Sequence, residues 1–289
     1  MTDRPLLSLS PLTAVDTSPP DLVTAAARAG FDYVGIRAKA AATDTQWPML
    51  DDGPMVRETR RRADDLGIDI LDVEVLRITG TDDAEVALRI LDVASVLRAK
   101  YVLVNGNDPE PTRQADTFAR LCREAEQRGV ALALEFMAFS RIPTLGDATA
   151  VLTHAASPAA ALVVDALHLA RTGSTVDAVR AVPDHWLSYA QLCDAPTESP
   201  SDHAGLITEA RTDRLLPGDG KLPLRELVGA LPAGTVYSVE APVLAHTGWA
   251  ADVRAEYAHR ALRDTVSPRE NPSGRVGRTP LHLGAGTDR

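Results

Sequence analysis

The chain has 289 residues, of which 45% are hydrophobic and 24% are charged, with a net charge of −10 and a pI near 5.2. This composition is typical of a globular protein with a large core, and the acidic charge without a basic stripe excludes an ordinary nucleic-acid binder. Cys122 and Cys193 provide neither a disulfide framework nor a metal-finger spacing. We find no signal segment and no long apolar run, so we expect a cytoplasmic protein without membrane contacts.

Short apolar segments alternate with helical segments along the chain. Ser18 followed by two prolines is typical of a helix start, and Gly30 is typical of the end of that helix, which covers 18–29. Further helices are predicted at 55–66, 82–97, 112–128, 145–155, 175–182, 222–231 and 249–262. The apolar segments predict strands at 6–10, 31–36, 68–76, 100–104, 131–135, 161–165, 186–191 and 236–240.

Eight strand-then-helix units in series predict an α/β fold with an all-parallel sheet. Right-handed crossovers between eight units favour closure into a single (β/α)8 TIM barrel, which we assign to residues 1–265. A long polar loop at 37–54 and an excursion before the eighth strand interrupt the regular spacing. The tail at 266–289 is rich in Pro, Gly, Arg and Ser, and we expect it to dock on the barrel or on a partner subunit of a homo-oligomer.

Four of the predicted strands end in oxygen-bearing side chains. Glu135, Asp165 and Glu240 follow the fifth, sixth and eighth strands, and Gln191 follows the seventh. In a barrel these ends meet at one mouth, where three carboxylates without a counterion would raise one another's pKa values. A divalent cation resolves this repulsion, and all-oxygen ligands favour Mn²⁺ or Mg²⁺ over Co²⁺ or Zn²⁺. The alternative is that each carboxylate caps a helix or forms a surface ion pair.

Five short motifs in this order are similar to those of a known family. They are Leu-Ala-Leu-Glu135, Asp165-Ala-Leu-His168, Gln191-Leu-Cys-Asp194, Leu216-Pro-Gly-Asp-Gly220 and Ser-Val-Glu240. Together they resemble the xylose-isomerase-like sugar phosphate isomerase/epimerase superfamily of metal-dependent barrels, over roughly residues 4–264. The resemblance implies that Glu135, Asp165, Gln191 and Glu240 are metal ligands and that His168 is an acid or base in contact with the substrate.

The seventh-strand ligand departs from the pattern of many epimerases in this superfamily, which have a histidine there. Gln191 is more similar to the dehydratase branches, such as 3-dehydroshikimate and inosose dehydratases. The segment Glu209-Ala-Arg211 also resembles an arginine-bearing loop of those enzymes. A neutral amide leaves the ion more positive charge than a fourth carboxylate would, which favours polarisation of a substrate carbonyl.

Four further residues are candidates for substrate contacts. Arg211 is suited to a carboxylate or phosphate, or else it pairs with Glu209 or Asp213. Glu74 and Arg77 lie near the third strand tip and either enter the mouth or form a buried ion pair with each other. Asn105 can hydrogen-bond a polyol, although its Asn-Gly-Asn context is also ordinary turn chemistry.

These residues predict an isomerase or epimerase that acts on a small polyhydroxylated keto compound. His168, Glu135 or Glu240 would remove the proton next to the carbonyl, and the ion would stabilise the resulting ene-diolate. Loss of a β-hydroxyl from the same intermediate would make the enzyme a dehydratase. Metal-dependent phosphodiester cleavage needs more metal ligands and a basic groove, and a non-catalytic barrel that only binds a ligand or partner is the remaining alternative.

Overall fold

The computed structural model describes residues 4–41, 44–50, 53–81 and 84–267. Eight parallel strands form a closed barrel in which each strand pairs with the next along the chain and β8 pairs with β1. The strands are β1 (Leu6–Leu9), β2 (Tyr33–Arg37), β3 (Asp69–Ile78), β4 (Tyr101–Gly106), β5 (Ala131–Glu135), β6 (Ala160–Asp165), β7 (Leu187–Leu192) and β8 (Val236–Val239). The predicted TIM barrel is therefore confirmed.

Helices connect the strands on the outside of the barrel. Within the described residues they are α1 (Pro19–Ala29), α2 (Pro54–Leu66), α3 (Ala84–Leu97), α4 (Pro111–Gln127), α5 (Leu145–Ala155), α6 (Ala166–Arg171), α7 (Val176–Arg180), α8 (His203–Thr212), α9 (Leu224–Val228) and α10 (Ala251–Val266). Helices α6 and α8 were not predicted from the sequence. Helix α6 has six residues and starts directly at the end of β6, so it is too short to show a helical period.

Local signals fix the ends of several helices as predicted. The side chain of Ser18 accepts a hydrogen bond from the backbone of Asp21, which caps α1. Gly30 ends the same helix at a φ of 94°, a left-handed conformation that favours glycine. Thr144 and Asp147 form a reciprocal capping box at the start of α5. These caps orient the connections that return the chain to each next strand.

The barrel interior below the strand tips is filled by a compact apolar cluster. Its members come from seven strands, and they are Tyr33, Leu71, Val75, Leu103, Ala133, Val163, Tyr189 and Val236. A larger cluster fills the space between the barrel and the surrounding helices. Because the inner cluster fills the barrel, the open cavity lies at the carboxyl ends of the strands.

Residues 268–289 lie outside the described residues, so docking of the tail and a homo-oligomer stay predictions. Asp82 and Asp83, where the third helix was predicted to begin, also lie outside them, and that helix is described from Ala84. Among the described residues, no helix combines the length and the apolar character needed to cross a membrane.

Candidate active site

The predicted strand-tip residues all lie at the carboxyl end of the barrel. Glu135, Asp165 and Gln191 lie at or near the ends of β5, β6 and β7, and Glu240 follows β8 directly. Asp165 and Gln191 are register partners in adjacent strands. All four side chains are buried, with residue exposures between 0% and 4%. We call Glu135, Asp165 and Glu240 the acid floor of the site.

Three of the buried side chains form a cluster that could hold a metal ion. Single ligand atoms of Glu135, Asp165 and His168 all lie within 4.8 Å of one another. His168 Nε2 is 3.8 Å from Glu135 Oε1, and the ring of Phe139 packs edge-on against the imidazole. The cluster contains His168 in addition to the two expected acids. Asp165 is the N-cap of α6, and the first turn of this helix places His168 near Glu135 at the end of β5.

Asp165 serves the local structure and the site at the same time. Its Oδ1 accepts a hydrogen bond of 2.9 Å from the backbone nitrogen of His168, so the carboxylate is the N-cap of α6. Its Oδ2 accepts from the guanidinium group of Arg214 at 2.7 Å. The helix-cap alternative is therefore confirmed for Asp165, and its role as a metal ligand stays a prediction.

Arg214 is the important site residue that sequence reasoning missed. It is 2% exposed, and its Nη2 is 3.1 Å from Glu240 Oε2 while its Nη1 binds Asp165. The antiparallel bridge between Asp194 and Leu215 ties the segment to the end of β7 and holds Arg214 in place. Its position directly before the Leu-Leu-Pro-Gly turn could have identified it from the sequence. The predicted residue was instead Arg211, three positions earlier.

Glu240 and Gln191 bond to each other and leave one oxygen without a partner. Gln191 Nε2 donates to Glu240 Oε1 at 3.0 Å, and Ser10 Oγ donates to the same oxygen at 2.8 Å. Gln191 Oε1 is buried and has no hydrogen-bond partner among the described residues. A buried carbonyl oxygen without a donor is destabilising, and a cation at this position would satisfy it.

The electrostatics of the acid floor also fit a bound cation. Burial, and then the charges of Glu240 and Asp165, raise the pKa of Glu135 well above its usual value. Burial raises the pKa of Glu240 to about 7, although Arg214 opposes this shift. Burial is the largest influence on Asp165 and opposes its ionisation, but the charges of Arg214 and His168 and the hydrogen bonds from both together lower the pKa of that carboxyl below its usual value. One guanidinium group therefore compensates only part of the charge.

A divalent ion is compatible with these residues in both charge and ligand type. Four buried carboxylates, including Glu74, face two guanidinium groups, those of Arg37 and Arg214. Carboxylate, amide and imidazole ligands suit Mg²⁺, Mn²⁺, Co²⁺ and Zn²⁺, so the donor set does not select one of them. The arrangement supports a divalent metal site with the identity of the metal open.

The other predicted site residues, which are Glu74, Arg77, Asn105 and Arg211, line a cavity at the mouth of the barrel. Some of them have partners other than the predicted ones. Asn105 Nδ2 donates to Glu135 Oε2 at 2.7 Å, so it orients an acid of the floor. Glu74 pairs with Arg37 at 2.8 Å, and the suggested pair of Glu74 with Arg77 is wrong. The reason is register, since Arg37 and Glu74 are direct partners in β2 and β3.

Arg211 lies on α8 and is exposed at the cavity. The alternative of a surface pair with Glu209 is wrong, because Glu209 binds Arg171 at 2.7 Å. The cavity has a volume of about 290 Å³. Its lining includes Arg37, Glu74, Arg77, Asn105, Glu135, Phe139, His168, Arg211, Arg214 and Glu240.

Neither cysteine is suited to nucleophilic chemistry. Cys122 packs inside α4, and Cys193 lies behind Arg214, with a sulfur-to-Nη1 distance of 3.6 Å. Burial raises the pKa of each thiol to about 12, so both remain protonated at neutral pH. The described cavity therefore offers acids, an imidazole and guanidinium groups for catalysis.

Comparison with known proteins identifies a family for this barrel. Residues 23–261 match the family model described as xylose isomerase-like TIM barrel. No curated protein is significantly similar in sequence. Among solved structures, the IOLI protein with a binding zinc atom is 19% identical, covers 90% of this chain and 98% of its own, and superimposes with a TM-score of 0.76.

Two further structures represent different chemistries on the same fold. D-allulose 3-epimerase from Methylomonas sp., solved in complex with D-allulose, is 17% identical, with coverage of 91% of this chain and 98% of that one and a TM-score of 0.67. The probable 3-DHS dehydratase AsbF from Bacillus anthracis is 13% identical, with coverage of 89% and 98% and a TM-score of 0.68. At these identities the likeness establishes the fold alone.

This chain also matches part of a longer protein. A xylose isomerase-like TIM barrel/4-hydroxyphenylpyruvate dioxygenase fusion protein is 21% identical over 90% of this chain, with a TM-score of 0.74. The chain spans 42% of that protein's length, so the match concerns the barrel.

Proposed function

Because the chain belongs to the xylose isomerase-like TIM barrel family, we propose that it is a divalent-metal-dependent isomerase or epimerase of a keto-sugar or related polyol. The observation that carries this proposal is the acid floor, which is buried beside the unpartnered oxygen of Gln191 at the mouth of the barrel. The D-allulose 3-epimerase structure supports it as a neighbour with that activity on the same fold.

Glu135, Asp165, Gln191 and Glu240 are the proposed ligands, and a ring nitrogen of His168 lies within 4.8 Å of ligand atoms of Glu135 and Asp165. A bound divalent ion supplies positive charge that polarises a carbonyl and stabilises a negatively charged oxygen. The proposed metal is Mn²⁺ or Mg²⁺. Because the IOLI structure contains zinc, Zn²⁺ and Co²⁺ are also included among the metals to be tested.

The residues of the chain have separate parts in the proposed reaction. Glu135 or Glu240 removes and returns the proton next to the substrate carbonyl, since each is a buried carboxylate facing the cavity. Burial lowers the pKa of His168 to about 4, so its neutral imidazole hydrogen-bonds a substrate oxygen at neutral pH. Asn105 fixes one oxygen of Glu135, and the inner cluster excludes water from below.

Dehydration is a second candidate, and a specific residue favours it. Gln191 takes the place where many epimerases have a histidine, and the probable 3-DHS dehydratase AsbF is a structural neighbour. Both reactions begin with removal of the proton next to the carbonyl, and they differ in whether a β-hydroxyl then leaves. The substrate therefore decides between the two outcomes.

The test is a screen of keto-sugars, keto-inositols and dehydroshikimate with Mn²⁺, Mg²⁺, Co²⁺ or Zn²⁺, in D₂O, with isomer formation and water loss measured separately. We expect solvent deuterium at the α carbon of recovered substrate or isomer. For a dehydratase we expect a primary isotope effect with α-deuterated substrate if proton removal limits the rate. A product whose original α C–H bond was never broken would refute the mechanism.

A further inference from the structure

Two arginines at the cavity differ from the other charged groups around them. Arg77 near the end of β3 and Arg211 on α8 both line the cavity. Arg37 and Arg214 bind carboxylates, whereas neither Arg77 nor Arg211 has an ion pair or side-chain hydrogen bond within the described part of the chain. We call Arg77 and Arg211 the arginine rim.

Neighbouring acids do not neutralise the arginine rim, because they are already bound elsewhere. Glu74 binds Arg37 at 2.8 Å, and Asp44 binds the same guanidinium group at 3.3 Å. Glu209, which precedes Arg211 by two residues, binds Arg171 in a pair that is almost completely buried. The rim therefore keeps its positive charge although the whole chain has a net charge of −10.

Like charges converge at the rim. Arg77 is partly buried, and burial, followed by the charges of Arg37 and Arg211, lowers the pKa of its guanidinium group. Guanidinium groups that face one cavity with unused donors are suited to a carboxylate or phosphate group, which can accept two parallel hydrogen bonds from a guanidinium group. The rim also lies beside the acid floor, because Arg77 is the register partner of Asn105, which binds Glu135.

We propose that Arg77 and Arg211 form an oxyanion subsite, so that the substrate has a carboxylate or phosphate group at one end and its reacting carbonyl at the acid floor. This inference deepens the proposed function and rests on it for the reaction, but not for anion binding. The cavity volume of about 290 Å³ accommodates one small molecule across both regions. The rim would orient the substrate and attract anions to an otherwise acidic protein.

Binding of simple anions tests the subsite without any assumption about the reaction. Orthophosphate and acetate are titrated into the full-length, metal-loaded protein by calorimetry, with Arg77→Gln, Arg211→Gln and Arg141→Gln as variants. Arg141 is the matched control because it is exposed in the loop after β5 and does not line the cavity. We expect Arg77→Gln and Arg211→Gln to weaken binding roughly tenfold or more and Arg141→Gln to leave it unchanged.

The relative affinity of the two anions distinguishes a phosphate subsite from a carboxylate subsite. Arg211 is exposed, so Arg211→Gln will fold even if Arg77→Gln does not. Absence of binding to the wild-type protein would overturn the proposal. So would binding that Arg77→Gln and Arg211→Gln leave unchanged, since the anion would then be held by the metal alone.

Turnover gives a second and separate test. A neutral ketohexose, its 6-phosphate and a keto acid of the same chain length are compared by α-hydrogen exchange in D₂O. We expect Arg211→Gln to raise KM about tenfold for the preferred anionic compound, with little change in kcat and no change for the neutral compound. Equal KM values for wild type and variant would refute the subsite and leave the proposed function intact. Exchange with none of these compounds would count against the proposed function, while the anion titration still decides the subsite.

Discussion

Glu135 and Glu240 of the acid floor and both arginines of the rim line one cavity, and the two regions carry uncompensated charges of opposite sign. The floor contains buried carboxylates whose charge Arg214 only partly compensates, so it is suited to a cation. Within the described residues, the guanidinium groups of the rim form no ion pair with a carboxylate, so the rim is suited to an anion. A direct pairing of the two regions would neutralise both, so their separation is compatible with the proposed binding of a cation at the floor and an anion at the rim.

The two regions also differ in how the fold positions them. The floor residues are fixed by strand ends and by hydrogen bonds from Ser10, Asn105 and Gln191. Arg211 lies on α8, in the excursion before β8, and is exposed to solvent. In the proposed reaction, the chemical step uses residues at the strand ends, and recognition of the substrate's far end uses Arg211 in a connection between strands.

The largest effect is expected from removing a ligand of the floor. Glu135→Gln and Glu240→Gln should each lose most of the roughly one divalent ion per chain and lower turnover on the order of a thousandfold. Elemental analysis of protein never exposed to chelator measures the metal. Asp213→Asn, an exposed acid beside Arg214, should retain it. Full metal content in both glutamine variants would show that the floor is not the metal site.

Removal of Arg214 should destabilise the protein, because the carboxylates of the floor then repel one another without its positive charge. Arg214→Met leaves Asp165 and Glu240 buried without their cation, and we expect a loss of about 3–5 kcal/mol in the free energy of unfolding by urea. Saturating Mn²⁺ should restore part of this loss by binding the folded state.

Arg171→Met is the matched control for Arg214→Met, because it breaks a buried ion pair with Glu209 that does not belong to the floor. It should destabilise the protein without added recovery by Mn²⁺. Equal recovery of both variants would mean that the ion does not replace the charge of Arg214.

His168 should affect turnover more than stability. His168→Asn is expected to lower kcat by on the order of a hundredfold, because a hydrogen bond to the substrate is lost, with little change in melting temperature. His203→Asn is the control, since His203 also packs against Phe139 but lies on the exposed start of α8. A large loss of stability with unchanged activity per folded molecule would assign His168 to packing.

The smallest effect concerns Asp72, which lies within the barrel and accepts a hydrogen bond of 2.6 Å from Tyr189. Burial, with a contribution from Glu240, raises its pKa from 3.8 to about 7. Between these two pH values the folded protein binds a proton that the unfolded chain has lost, so the contribution of Asp72 to stability falls as pH rises from about 4 to 7.

Asp72→Asn should remove this dependence and unfold with a free energy on the order of 1–2 kcal/mol higher than wild type at pH 8. Asp69→Asn, at an exposed position of the same strand, should keep the wild-type dependence in urea titrations at several pH values. Added Mn²⁺ should lessen the wild-type dependence, because the ion compensates the charge of Glu240. A stability profile of Asp72→Asn that parallels wild type would contradict this account.

The barrel and the positions of the floor residues at its mouth could be predicted from the sequence. Apolar runs ending at Glu135, Asp165 and Gln191 predict buried parallel strands, and parallel strands in a closed barrel must present these ends at one mouth. Short-range signals such as the cap at Ser18 and the glycine at Gly30 set the ends of α1 within a residue of their predicted positions.

The partners in the ion pairs of the site could be identified only from the tertiary structure. Arg214 binds Asp165 across 49 positions of the chain, and Arg37 binds Glu74 across 37, where the sequence suggested Arg77 as the partner of Glu74. Spacing along a chain constrains neighbours within a helix or a strand, but such distant pairs depend on strand register and on the path of the excursion before β8. Because strand register pairs Glu74 with Arg37, Arg77 forms no ion pair with a carboxylate within the described residues. No local sequence pattern could predict this.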